Sequence, residues 1–157
     1  MTPPNNITLS KDKKLLTVSY KNDDFALTSE FLRVYSPSAE VRGHGPGQET
    51  LQLDKQDVLI SSLVPMGNYA IAIHFSDGHT TGIYSWSYLF HLGADKEELW
   101  QDYCNRIKEN NNNNDINTSK DNGNYNSNII NNSKIGLNKS SFSVGKDINN
   151  NYNILLL

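Results

Sequence analysis

Residues 64–93 read VPMGNYAIAIHFSDGHTTGIYSWSYLFHLG, and this stretch decides the fold. Tyr69, Ile71, Ile73 and Phe75 fall on one face of a strand, and Ala70, Ala72 and His74 on the other. Asp77-Gly78 is a hairpin signal, because the tight two-residue turn needs positive φ at both positions and Asp-Gly tolerates it. That turn sets Ser76 opposite His79, Phe75 opposite Thr80 and His74 opposite Thr81. Opposed residues share a face. His74 and His79 are therefore expected as diagonal neighbours beside Ser76 and Thr81, with Tyr69, Ile71, Ile73, Phe75 and Tyr84 in the core. Ser85 is a good N-cap for a helix carrying Trp86, Leu89 and Phe90, which Gly93 ends.

Outward from this block the pattern continues. Residues 6–10 and 14–20 read as strands joined by a turn at Asp12-Lys13, with Leu16, Val18 and Tyr20 alternating with Thr17 and Ser19. Thr28 or Ser29 caps a short helix carrying Phe31, Leu32, Val34 and Tyr35. Ser36-Pro37 stops it, because a residue before proline avoids the α region. Gly43-His44-Gly45-Pro46-Gly47 is a loop by composition, and residues 50–53 and 57–63 read as strands. Asp95 and Glu98 form a capping box for a last helix, whose stripe is Leu99, Trp100, Tyr103, Cys104 and Ile107. The expected fold class is α+β: a small, mostly antiparallel sheet with a hairpin at Asp77-Gly78, packed by short helices.

The chain has 157 residues, 36% hydrophobic and 20% charged, with a formal net charge of -3. That length allows one domain with a tail. The character changes near Asn110. Both Trp, all four His and all five Pro lie upstream, while ENNNNN, NGNYNSNIINN and INNNYNILLL lie downstream. Asn-rich tracts bury too little apolar area to offset the entropy of ordering. The expected division is therefore a domain over residues 1–109 and a disordered low-complexity tail over 110–157.

The charge is too small, and Lys and Arg too dispersed, to indicate nucleic acid or an anionic membrane as a partner. No stretch approaches the ~18 apolar residues of a membrane span. The lone Cys104 excludes an intramolecular disulfide and a four-cysteine zinc site. It reads as a small buried hydrophobe, and a cytoplasmic protein is expected.

LRVYSPSAEVRGHGPGQ (32–48) and GNYAIAIHFSDGHTTGIYSWSYLFHLG (67–93), followed by the capped helix, closely resemble the gamma-butyrobetaine hydroxylase-like N-terminal domain family. Small free-standing bacterial members of that family are of unknown function. The resemblance spans about residues 7–108. In the hydroxylases this module precedes an iron- and 2-oxoglutarate-dependent catalytic domain, binds a structural zinc and helps dimerisation. The zinc ligands are a Cys-x-Cys-x-x-Cys run after a Leu-Arg pair, plus the histidine of Asp-Gly-His. Here Leu32-Arg33 and Asp77-Gly78-His79 are present, but the cysteine positions are Ser36, Ser38 and Val41. One imidazole, two hydroxyls and a valine do not make a tetrahedral zinc site. The chain is too short for the catalytic domain, so no hydroxylation is expected. A related domain is fused to P-loop ATPases with iron–sulfur clusters, which places the family near metal handling by analogy.

Three functional readings follow. The first is a non-catalytic accessory or binding module, not an enzyme, with a protein partner, a role tied to iron–sulfur or other metal metabolism, and homodimerisation as an option. The second is a metal-ion-binding protein that holds a divalent metal, iron or zinc, through His79, His44 and Asp77 with Glu40 nearby. The third is a small enzyme acting on an acidic metabolite at Arg42, Gly43, His44 and Gly45, whose exposed N–H groups and side chains suit an anion. No Ser-His-Asp spacing is legible, and no catalytic residue is assigned.

Overall fold

The computed structural model describes residues 3–45, 47–118 and 151–154. The chain is α+β, with its strands divided between two antiparallel sheets. In the first, β1 (Asn6–Ser10) pairs with β2 (Leu15–Ser19), and β2 with β3 (Asp24–Thr28). A later segment, β7 (Asn151–Ile154), pairs along the free edge of β1. In the second, β5 (Ala70–Phe75) lies between β4 (Ile60–Met66) and β6 (Gly82–Ser85). Four helices accompany them among the described residues: α1 (Ser29–Val34), α2 (Ala39–Arg42), α3 (Trp86–Ala94) and α4 (Lys96–Thr118).

Period-two alternation places the core. Ile7 opposes Val18, and Leu16 opposes Leu27, all fully buried. In the second sheet Ile71 opposes Tyr84, and Ile73 opposes Gly82. These inward faces join Phe31, Leu32, Trp86, Leu89 and Leu92 in one apolar cluster. Both expected caps form: Thr28 Oγ1 accepts from Phe31 N–H and Ser85 Oγ from Tyr88 N–H.

Aromatic residues pin distant segments together. The hydroxyl of Tyr20 donates to the Trp86 carbonyl, that of Tyr84 to Leu32, that of Tyr88 to Tyr35 and that of Tyr103 to Gln52, at 2.7–2.8 Å. Tyr35 donates to Leu99, and the Trp86 indole to Asn68. Each ring fills the core while its polar tip satisfies a carbonyl. No buried side-chain nitrogen or oxygen among the described residues lacks a partner.

Several sequence expectations need correction. Residues 50–53 are not a strand, and β3 was not anticipated. Tyr69 is 59% exposed rather than in the core, because it belongs to the turn between β4 and β5. Gly93 is the penultimate residue of α3, which ends one residue later at Ala94. A Cβ there would come within 2.2–2.6 Å of the Phe25 ring, so the glycine sets how closely α3 approaches β3. Asp95 gives its carboxylate to His91 Nδ1 at 2.7 Å. The boundary expected at residue 110 falls within α4, whose helical backbone continues to Thr118. Of the expected tail, residues 119–150 and 155–157 lie outside the described residues.

The correction that matters for the site concerns the hairpin tip. The body of the β5–β6 ladder has the expected register, but the turn does not. Gly78 has φ 87°, whereas Asp77 is not in the positive-φ region. Gly78 N–H donates to the Phe75 carbonyl, and Phe75 N–H to the His79 carbonyl. This is a three-residue connection with glycine in a bulge, not the two-residue turn. His79 therefore opposes Phe75 instead of Ser76. A one-residue offset turns a side chain to the other face. His79 points inward and is 5% exposed, while His74 stays on the outer face and meets Ser62 Oγ at 3.0 Å.

Candidate functional site

The bulge delivers His79 to the turn between α1 and α2. Its Nε2 lies 2.8 Å from Ser36 Oγ, and its Nδ1 lies 3.1 Å from the Glu40 carboxylate. Ser36 Oγ also accepts from Ser38 N–H at 3.4 Å, and Ser38 Oγ lies 2.8 Å from Thr81 Oγ1. Thr81 reaches the second oxygen of Glu40. Burial pushes the His79 pKa below its ordinary value, and the Arg33 charge adds to this against the opposing pull of Glu40 and Asp77. The ring is then neutral at pH 7. The partners assign its proton to Nδ1, which donates to Glu40, and Nε2 accepts from Ser36. Gly82 makes room for this knot, since a Cβ there would stand 2.6 Å from Ser36 Oγ.

One of the three cysteine-equivalent positions, Ser36, thus meets His79, and Ser38 joins the same network through Thr81, but without zinc chemistry. Serine hydroxyls are poor zinc ligands at neutral pH, and here they are hydrogen-bonded to a ring and to a threonine. Val41, at the third cysteine position, is buried. The residues do not fit the metal.

Serine, histidine and carboxylate in series have the connectivity of a hydrolytic triad. Sequence spacing did not reveal this, because Glu40 and Ser36 meet His79 only through the bulge. Ser36 is 1% exposed, however, so a substrate carbonyl cannot reach its hydroxyl in this conformation.

Asp77 is engaged elsewhere. Its carboxylate takes Arg33 Nε at 2.9 Å and Lys55 Nζ at 3.0 Å, and His79 N–H also donates to it. Desolvation works to raise its pKa, but Lys55, the His79 N–H and Arg33 hold it below the usual carboxylate range. Arg33, itself buried, also donates to Gln52. The structure therefore does not gather His79, His44 and Asp77 at one centre. Among the described residues no group of three or more His, Cys, Asp or Glu side chains is placed to hold a metal. Cys104 is half-buried and has no disulfide.

A cleft of about 520 Å³ opens on the other side of the same turn, lined by Arg42, Gly43, His44 and Gly45 together with Leu51, Tyr88, Tyr103 and Arg106. The loop from Gly43 returns so that Thr50 N–H donates to the Val41 carbonyl. Gly43 has φ 69°, and a Cβ there would strike the Gln48 carbonyl at 2.3 Å. Gly43 is thus required where the cleft wall turns back on itself. The Arg42 guanidinium lies 4.7 Å over the Tyr88 ring. The anion-site residues expected from sequence come together here; Arg106 and the tyrosines join them from far along the chain.

A hydrogen-bonded polar knot beside an arginine-bearing cleft, on a small α+β scaffold, defines a compact module. The family model for gamma-butyrobetaine hydroxylase-like, N-terminal domains matches residues 7–90, and the chain belongs to this family. It is similar to two proteins with solution NMR structures. The first is 44% identical, with TM-score 0.61, over 69% of this chain and 86% of the other. The second is 39% identical, with TM-score 0.61, over 71% and 83%. A crystal structure from Acidithiobacillus ferrooxidans, of a DUF971-family protein of unknown function, is 35% identical over 58% of this chain and 92% of the other, with TM-score 0.49. No curated protein matches the chain. Among the described residues no helix is long and apolar enough to cross a membrane.

Proposed function

We propose that this chain is a non-catalytic accessory module of the cytoplasm, which binds a protein partner in iron–sulfur or other metal metabolism. The observation that carries the reading is the closure of the knot. Ser36, Ser38, Glu40, His79 and Thr81 satisfy one another, and Ser36 is sealed from solvent. Such a network stabilises a fold and leaves no nucleophile or open coordination position. The link to metal metabolism rests on the family resemblance, whose fused relatives carry iron–sulfur clusters.

The test combines purification with an activity assay. The full chain, purified from its own cells, is expected to co-elute with a protein at a fixed ratio. Zinc and iron are expected well below one per chain, with no turnover of p-nitrophenyl esters. Ester hydrolysis that disappears in Ser36→Ala, or one metal per chain that disappears in His79→Ala, overturns the proposal.

A further inference from the structure

We infer that the cleft between α2, residues 43–45 and 49–52, and α4 binds a small monocarboxylate with an apolar body, its carboxylate held by Arg42 and Arg106. This goes beyond the accessory role and does not depend on it.

The Arg42 charge points to an anion. The Arg42 side chain has no hydrogen-bonded or ion-paired partner among the described residues; its guanidinium lies over the Tyr88 ring. A guanidinium held over a ring without an ion-paired partner has N–H groups available for a planar, two-oxygen acceptor. Arg106 lines the same cleft, and its ion-pair partner, Asp102, stands at 4.0 Å, the limit of such contacts. Glu49 lines the cleft too, and accepts from Gly47 N–H. Arg42 and Arg106 face Glu49 in the lining, with Asp102 at the ion-pair limit from Arg106, so the cleft is close to neutral before His44 is considered. That balance suits one carboxylate better than a phosphate dianion.

The rest of the lining selects the body of the ligand. The hydroxyls of Tyr35, Tyr88 and Tyr103 are all engaged by backbone carbonyls, so these residues offer rings rather than hydrogen bonds. Val34, Val41 and Leu51 complete an apolar lining. The volume, about 520 Å³, falls within the ~300–1,000 Å³ of small-molecule sites. Because the hydroxyl bonds fix the rings, little ordering cost remains on binding.

The carboxylate can belong to a free metabolite or to the C-terminus of a polypeptide, and one titration separates these. Isotope-labelled full chain is titrated with phenylacetate, 2-phenylethanol, inorganic phosphate, and a short peptide ending in phenylalanine, as free acid and as amide. Phenylacetate is expected to shift the signals of Arg42, His44 and Tyr88 and to bind at least about tenfold tighter than 2-phenylethanol. Arg42→Ala and Arg106→Ala are each expected to weaken it about tenfold, with Arg42→Lys intermediate. A peptide acid that binds tighter than phenylacetate assigns the ligand to a polypeptide terminus; equal or weaker binding assigns it to a free metabolite. The inference is overturned if the alcohol or the peptide amide binds as tightly as its acid, or if phosphate binds tighter than phenylacetate. It is equally overturned if the arginine variants, shown folded by their spectra, bind like the parent, or if neither carboxylate shifts these signals at about 10 mM.

Discussion

The turn from Tyr35 to Arg42 has two sides of opposite character. On one side, Ser36, Ser38 and Glu40 close with His79 and Thr81 into a network in which each polar group has a partner. On the other, Arg42 lies on a tyrosine ring and has no anion to meet. Eight residues thus supply both a saturated knot and an unsaturated cleft. The serine and histidine, residue types associated with catalysis, are buried, while Glu40 closes the network from the exposed side. The more ordinary arginine sits where a ligand can reach it. Saturation and access, rather than residue type, separate structure from function here.

Substitutions can break this contrast at graded cost. The largest effect is expected for Gly82→Val, whose side chain would occupy the space of Ser36 Oγ and the Tyr84 ring. A loss of about 3 kcal/mol in urea unfolding is expected, at the upper end of core overpacking. Next comes His79→Ala, which leaves Ser36 and Glu40 without their partner. About 2 kcal/mol should be lost, as for buried groups deprived of a hydrogen bond, without a change in cleft binding. Loss of cleft affinity in that variant, with the fold intact, would show that the two sides are coupled.

Acid sharpens the same contrast. The folded-state pKa of His79 lies below its unfolded value, so the unfolded chain binds more protons as pH falls past about 6.5. The stability is present above that pH and is lost as pH falls through the folded value. Asp77 adds a second loss in the same direction, beginning near the ordinary aspartate range. Urea midpoints are expected to fall steadily below pH 6.5 in the parent and less steeply in His79→Ala. The smallest effect belongs to Arg42→Ala, which should change stability by no more than about 0.5 kcal/mol, as for exposed sites. A larger loss would make Arg42 a structural residue.

Much of the fold was legible in the chain because its signals are local. The strands β1, β2 and β5, the caps at Thr28 and Ser85, and the opposition of Ile71 and Tyr84 follow from alternation and capping chemistry. The inward turn of His79 was not legible. Asp-Gly fits both the two-residue turn and the bulged one, and the bulged one brings His79 to Ser36 and Glu40, which lie about forty residues away in sequence. β3 escaped notice because Asp24 to Thr28 is short and runs straight into α1. Arg42, Gly43, His44 and Gly45, which line the cleft, could be named from the glycine-rich loop. Arg106 could not, since it stands some sixty residues away on a helix face that reads as a solvated stripe. Arg33 was only a marker of the resemblance, yet it ties the hairpin tip to α1 through Asp77.

The tyrosine pins carry a consequence at the opposite end of the pH scale. Burial pushes the phenols of Tyr20, Tyr35 and Tyr103 up to about 12, and that of Tyr84 higher still. An unfolded phenol ionises near 10. Each pin is therefore fully effective below about pH 10 and weakens as pH climbs toward 12, because the unfolded chain sheds protons that the native chain must keep. The upper edge of the working range is set in common by these phenols, and phenolate absorbance should rise together with unfolding rather than before it.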